Sequence, residues 1–372
     1  MGLHLIPNDL NINFVGFRKV AYFISLATLI VGLGYLVIQG GPRYGIDFAG
    51  GTIAQIKFEK PTQTENIKTA LSELEHQGLV VQRFGEEGSQ SFLIRVSNTE
   101  ISSSTLRDTL TSALKEKIAD NPVEIQRLES VGPKVGADLR SQAMEAIYFA
   151  TLLIAIYISG RFEHRWFVAA AMAGGLAGSM YLLDLIGVSK AILVPIATIV
   201  TIFLCWRLKL AFAMGALVSI LHDLFVTIGL FALMGKEFDL TIIAALLTIV
   251  GYSLNDTIIV YDRIRENLMA RKGTMLSDII NCSINQTLSR TVLTSGTTLF
   301  VVCSLLLFGG GIIHDFALIM FIGIVVGTLS SIFVASPVLL IFGDTVIVQA
   351  EKAQKARDEA AKRERDRARA VT

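Results

Sequence analysis

Residues 240–261 read LTIIAALLTIVGYSLNDTIIVY, an almost unbroken apolar stretch with Asn255 and Asp256 set inside it. About 20 such residues cross a bilayer as a helix. A carboxylate within that helix costs roughly 3 kcal/mol on insertion scales, so its presence points to a function inside the membrane and not to anchoring alone. The rest of the chain agrees with this reading. Of 372 residues, 52% are hydrophobic and 17% charged, and the mean hydropathy is +0.57. Soluble domains carry charge on about a quarter of their residues. The class is a polytopic membrane protein.

The net charge of +1 gives no reason to expect a nucleic-acid partner, because the charges are segregated along the chain. Cys205, Cys282 and Cys303 lie in or beside apolar spans and show neither a disulfide framework nor metal-ligand spacing. The run Val20–Ile38 follows Arg18-Lys19 and is too long for a signal-peptide core. The GGPRYG after it lacks a small-x-small cleavage pattern, so the run reads as an uncleaved first transmembrane helix.

Apolar runs predict about eight spans, near 17–38, 142–160, 166–187, 190–206, 209–233, 239–261, 291–309 and 316–343. The third and fourth meet at Val188-Ser189-Lys190 and form a helical hairpin. Arg18 and Lys19, Arg161 and Arg165, Arg207 and Lys209, the 263–290 loop with its arginines, and the tail beyond Lys352 all fall on one side. The positive-inside rule makes that side cytoplasmic and puts both termini there. The predicted division is 1–40 (N-terminus and first helix), 41–140 (extracytoplasmic domain), 141–345 (helix bundle) and 346–372 (charged tail). The tail, rich in Ala, Lys, Arg and Glu, reads as a solvated helix or a disordered segment, and its basic excess suits anionic membrane lipid.

The extracytoplasmic segment alternates in period. Thr52–Glu59, Leu79–Phe84, Ser91–Val96 and Val123–Val131 read as strands, with a turn at Gly85–Gly88 between the second and third. Thr64–His76 and Ser103–Ile118 read as helices, the second with Leu106, Leu110, Leu114 and Ile118 on one stripe. The order β-α-β-β-α-β predicts a ferredoxin-like α+β domain. It has no cysteine, and His76 has no partner at ligand spacing, so a binding or spacer role is expected.

Asp256 lies seven residues before Arg263, about 10 Å along a helix, and so inside the cytoplasmic half of the membrane. Burial favours the neutral form of a carboxyl and a nearby cation favours the charged form. A group balanced between the two can take up and release protons, and Asn255 and Ser253 add hydrogen-bonding capacity beside it. The same carboxylate would also serve as a structural ion pair. Arg290 opens the seventh span at the same depth and is the cation in reach, although an arginine at a span edge equally well snorkels to the interface. His222 and Asp223 form a second polar island. Successive residues on a helix point about 100° apart, so these two need not touch, and they suit either a relay or a packing role. Asp184 and Asp315 lie near span ends, and Asp262 reads as an anchor at the cytoplasmic junction. The small residues of 173–178, 294–298, Gly323 and Gly327 permit close helix contacts.

Several of these segments carry a family resemblance. The stretch GIDFAGG, from Gly45 through Asp47 to Gly50 and Gly51, resembles the signature after the first span of the SecF family, with Ala49 where threonine is usual. VGPKVG at 131–136, Arg161-Phe-Glu163, His222-Asp223, and GYSLND at 251–256 running on to YDRIREN at 261–267 are similar to the same family in the same order. The resemblance covers roughly residues 10–345. It implies a subunit of the Sec accessory complex in the bacterial inner membrane, partnered by SecD and the SecYEG channel, with YajC and YidC as further partners and an exported polypeptide as client. It implies the resistance-nodulation-division fold and a proton as coupling ion, with no other cofactor and no enzymatic activity. The implied function is to couple proton flow to late steps of export, with Asp256 and Arg290 in the family's relay positions. Such proteins usually have six spans, so residues 167–206 read as an inserted hairpin on a six-helix core. The alternative is a proton-driven small-molecule exporter of the same superfamily, for which one extracytoplasmic domain of about 100 residues looks small.

Overall fold

The computed structural model describes residues 11–84, 90–96, 103–118, 120–270 and 274–348. The expected turn at Gly85–Gly88, the side chain of His76 and the charged tail lie outside the described residues. In chain order the elements are α1 (Phe14–Ile38), α2 (Ile46–Ala49), β1 (Gly51–Phe58), α3 (Thr64–Ala70), β2 (Val80–Phe84), β3 (Ser91–Val96), α4 (Ser103–Lys117) and β4 (Val123–Val131). The bundle follows with α5 (Pro133–Glu163), α6 (Trp166–Leu185), α7 (Lys190–Arg207), α8 (Ala211–Leu233), α9 (Leu240–Ala270), α10 (Leu276–Phe308) and α11 (Gly311–Ser330). A wider π turn at Ser331–Ala335 carries the last helix onward.

Among the described residues, 8 helices are long and apolar enough to cross a membrane, which matches the predicted spans. Three are longer than hydropathy alone suggests. The second begins at Pro133 where 142 was expected, the sixth runs to Ala270, and the seventh begins at Leu276 where 291 was expected. Hydropathy marks only the part of a helix within hydrocarbon. Proline at the first helical position of α5 needs no intrahelical N–H partner and starts that helix early. The expected domain boundary at 140 therefore falls inside a continuous helix that joins the sheet domain to the bundle.

The sheet has the order β2-β3-β1-β4 with every pairing antiparallel, the ferredoxin-like arrangement. Its two-residue period sends Ala54, Ile56, Phe58, Phe92, Ile94 and Val96 to one face. There they pack on Ile67, Leu71, Leu106, Leu110 and Leu114 from the helices. The helix expected over 64–76 tightens after Ala70 into a 3₁₀ turn, Ser72–Gln77. Three residues per turn stack Leu71 and Leu74 on the same side, and both are buried.

In the bundle α8 is the enclosed helix, with α1, α5, α9 and α11 packed around it. The approach of α1 and α8 depends on two glycines: a Cβ added to Gly32 would lie 2.8 Å from the Gly229 Cα, and the reverse contact is equally short. The hairpin α6–α7 packs on α5, and α7 also touches α8. An ion pair between Lys190 and Glu145, 2.8 Å, holds its turn.

Candidate functional site

The helical period of α9 places Ser253, Asp256, Thr257 and Val260 on its buried side. Gly323 and Gly327 of α11 face that stripe. A Cβ at Gly327 would meet the Ser253 Cβ at 3.0 Å, and one at Gly323 would collide with Ile249. The glycines thus bring α11 against α9. Asp256 is fully buried where α9, α10 and α11 meet. Its Oδ2 accepts a hydrogen bond from Ser295 Oγ at 3.1 Å, and Ser295 Oγ accepts one from Thr328 Oγ1 at 2.8 Å. Oδ1 is buried with no hydrogen-bond partner among the described residues. A hydroxyl donates to a carboxylate or accepts from a carboxylic acid, so this surrounding accommodates both protonation states.

Asp223 lies next to that cluster. Its Oδ2 accepts from Ser253 Oγ at 2.5 Å and from Ser330 Oγ at 2.7 Å, and Ser219 donates to Ser330 at 3.0 Å. Ser253 and Asp256 are three residues apart on α9, and Thr328 and Ser330 two apart on α11. The two clusters therefore form one polar seam through an apolar core. Helix geometry leaves contact between His222 and Asp223 open, and here they do touch: His222 Nδ1 lies 2.9 Å from Asp223 Oδ1. His222 Nε2 is buried and has no partner among the described residues.

Arg290 makes no ion pair among the described residues and is exposed on the bundle's outer face. The antiparallel helices pair Asp256 with Ser295 and Asn267 with Ser283. Arg290 is thus five residues from Ser295, about 7–8 Å toward the Ala270 end, within electrostatic reach of the carboxylate but not in contact with it. Asn255 is also exposed and shares no hydrogen bond with Asp256. Asp262 pairs with Arg161 at 2.6 Å, joining α9 to the end of α5.

The glycine segment forms a joint. Gly45 N donates to Phe238 O at 2.7 Å, and Phe238 N donates to Arg43 O at 2.7 Å. Asp47 Oδ2 accepts from the Leu240 N–H, 3.0 Å, at the open end of α9. Gly50 has φ +77° and Gly51 φ +123°, conformations that favour glycine. Gly136 of α5 lies so close that a Cβ there would meet the Phe48 carbonyl oxygen at 3.0 Å. Asp239 caps the same helix end through Ile242 N–H, and burial, with Asp47 nearby, pushes its carboxyl above the usual aspartate range.

The hydroxyls of Ser219, Ser295, Thr328 and Ser330 went unnoticed in the sequence, as did a cap formed by Glu163. Buried Glu163 accepts from the Phe212 N–H at 2.9 Å and so closes the start of α8. A serine or threonine in a span also bonds its own helix carbonyls, as Thr298 does to Thr294, and a lone hydroxyl carries no sign of which role it has.

Known proteins share this arrangement. The sequence pattern described as "Protein export membrane protein SecD/SecF, C-terminal" matches residues 110–178 and 185–345. The chain belongs to that family. The "SecD/SecF GG Motif" pattern matches residues 35–62, over the glycine joint. Among SecD/SecF relatives, the "Protein translocase subunit SecF" of Calditerrivibrio nitroreducens is 38% identical over 337 residues, 90% of this chain and 95% of that one. The protein of the same name from Vibrio alginolyticus is 37% identical over 91% of this chain and 92% of its own. The crystal structure of SecDF, a translocon-associated membrane protein from Thermus thermophilus, aligns with TM-score 0.63 at 30% identity over 92% of this chain. This chain spans 40% of that SecDF chain.

Proposed function

We propose that the chain is an accessory subunit of the Sec protein translocase, paired with a SecD-type subunit, that couples proton flow to late steps of export. The observation that carries this reading is Asp256. It is a fully buried carboxyl held, among the described residues, only by neutral hydroxyls, with the Arg290 charge near and in no ion pair among them. A structural ion pair would close on its partner. A relay group is better served by a cation that tunes it from a distance.

The outer faces of α9 and α10 support a partner at this level. Asn255, Arg290 and Thr297 are exposed there, at positions that single-chain packing leaves open. Arginine facing hydrocarbon is costly, whereas arginine facing another subunit or a water-filled path is not. A proton path then runs between the two subunits, with Asp256 on one wall. One charge crossing 100 mV releases about 2.3 kcal/mol, enough to bias a joint whose two states differ by a few kcal/mol. The hinges beside that joint are Gly40-Gly41-Pro42 and Gly132-Pro133, which flank the sheet domain. The bundle sits in the bacterial inner membrane with both termini cytoplasmic. The SecYEG channel, YajC, YidC and an exported polypeptide complete the assembly.

The test is Asp256→Asn in a reconstituted translocase with SecD, assayed for export with and without a proton gradient. The proton-dependent share of export should vanish while the subunits still copurify. Wild-type gradient dependence in the variant overturns the relay and leaves a scaffold.

A further inference from the structure

A cavity of about 460 Å³ opens where α7 ends, between Trp206, Arg207 and Lys209 on one side and Ile341, Phe342 and Asp344 of the last helix on the other. Trp206 and Phe342 build its apolar wall, edge to face with ring centroids 5.8 Å apart. Lys209 has φ 55°, in the left-handed region that a residue with a Cβ disfavours. This tight turn starts α8 directly after α7. Arg207 and Lys209 are both exposed, and neither makes an ion pair among the described residues. Among the described residues that line the cavity, two cations face one carboxylate, a net charge of one positive.

A second feature leads away from it. Ile192, Ile196, Ile199, Phe203 and Trp206 are all exposed along one face of α7. Their spacing of three and four residues makes a continuous apolar track from the cavity into the depth of the membrane. A cationic pocket beside an interfacial tryptophan, with an apolar track below it, matches a charged headgroup and its acyl chain.

We infer that this cavity holds the headgroup of an anionic phospholipid of the phosphatidylglycerol class. The phosphodiester lies between Arg207 and Lys209, whose N–H groups donate to its free oxygens. The glycerol hydroxyls donate to Asp344, which explains a carboxylate in an anion site. One acyl chain follows Phe203 and Ile199. A zwitterionic headgroup would leave the pocket's extra positive charge unmatched, and free phosphate would make no use of the track. Both the tryptophan and the arginine come from α7, so the site belongs to the α6–α7 hairpin.

The test is native mass spectrometry of the full-length chain released from nanodiscs that contain equal amounts of phosphatidylglycerol and phosphatidylethanolamine with matched chains. Wild type should retain phosphatidylglycerol preferentially. Arg207→Gln with Lys209→Gln should lower that preference on the order of tenfold, whereas the charge-keeping pair Arg207→Lys with Lys209→Arg should retain most of it. Equal retention of both lipids, or no effect of the glutamine pair, overturns the assignment. Equal losses in the two double variants overturn it as well, since charge would not be the cause. Displacement of the lipid by millimolar inorganic phosphate would make this a free-anion site and also overturn it.

Discussion

Arg95 Nη1 lies 2.6 Å from Glu237 Oε1, so the interior strand β3 of the extramembrane sheet is tied to the loop between α8 and α9. Arg95 Nη2 also donates to the Tyr44 carbonyl at 2.9 Å. The sheet domain, the glycine joint and the start of α9 therefore meet at one guanidinium. The two side chains are 15% and 39% exposed, so solvent screens the pair and its coupling should be only about 0.5–1 kcal/mol. Replacing Arg95 and Glu237 by Gln, singly and together, should give that coupling in a double-mutant cycle. Hydrogen exchange at Gly45 and Phe238 should speed up in each variant. Unchanged exchange would show that the joint holds without the pair.

Asp223 is the acceptor for hydroxyls from two helices and for an imidazole. Asp223→Ala would leave Ser253 and Ser330 as buried donors without that acceptor, at a cost of about 1–3 kcal/mol for each group left unmet. Asp223→Asn keeps one carbonyl acceptor and should cost less. Thermal unfolding of the purified chain in detergent should rank wild type above Asn above Ala.

The contact between Gly32 and Gly229 leaves no room for a methyl group. Gly229→Ala should force α1 and α8 apart and destabilise the bundle by about 1–3 kcal/mol. Gly34, on the same helix, has nothing within 4 Å of its added Cβ, so Gly34→Ala is the control and should be near neutral. Equal melting points for the two variants would sink the close-contact account.

Asp239 yields a pH dependence with a definite sign. Burial raises its folded-state pKa above the unfolded value, so between those two values the folded chain binds more protons than the unfolded one. Stability from this group therefore falls as pH rises through that window and is greatest on its acid side. In Asp239→Asn that component should be absent. Melting curves of both proteins across the mildly acidic range should differ in slope inside the window and run parallel on either side of it. Parallel curves throughout would remove the assignment.

A membrane helix must satisfy every backbone group within itself. Eight apolar runs, their order and the period change at Thr52 were accordingly readable one segment at a time. The alternation in β1 and the leucine stripe of α4 were local in the same sense and placed the ferredoxin-like core. Asp256 stood out because a carboxyl in an apolar run is visible without any neighbour.

What surrounds Asp256 was a matter for tertiary structure alone. Ser295 and Thr328 reach it from helices 39 and more residues away, and the register that brings them there is set by where Gly323 and Gly327 let α11 settle on α9. Arg290 turned outward for the same reason: its rotation on α10 follows from how that helix packs, not from its position in the chain. His222 and Asp223 touch through their side chains, and Arg95 meets Glu237 across 142 residues. Sequence by itself determined which segments enter the membrane, because that depends on each segment's own transfer from water. Tertiary structure decided which polar groups meet inside, because that depends on helix rotation and depth, which only close packing sets.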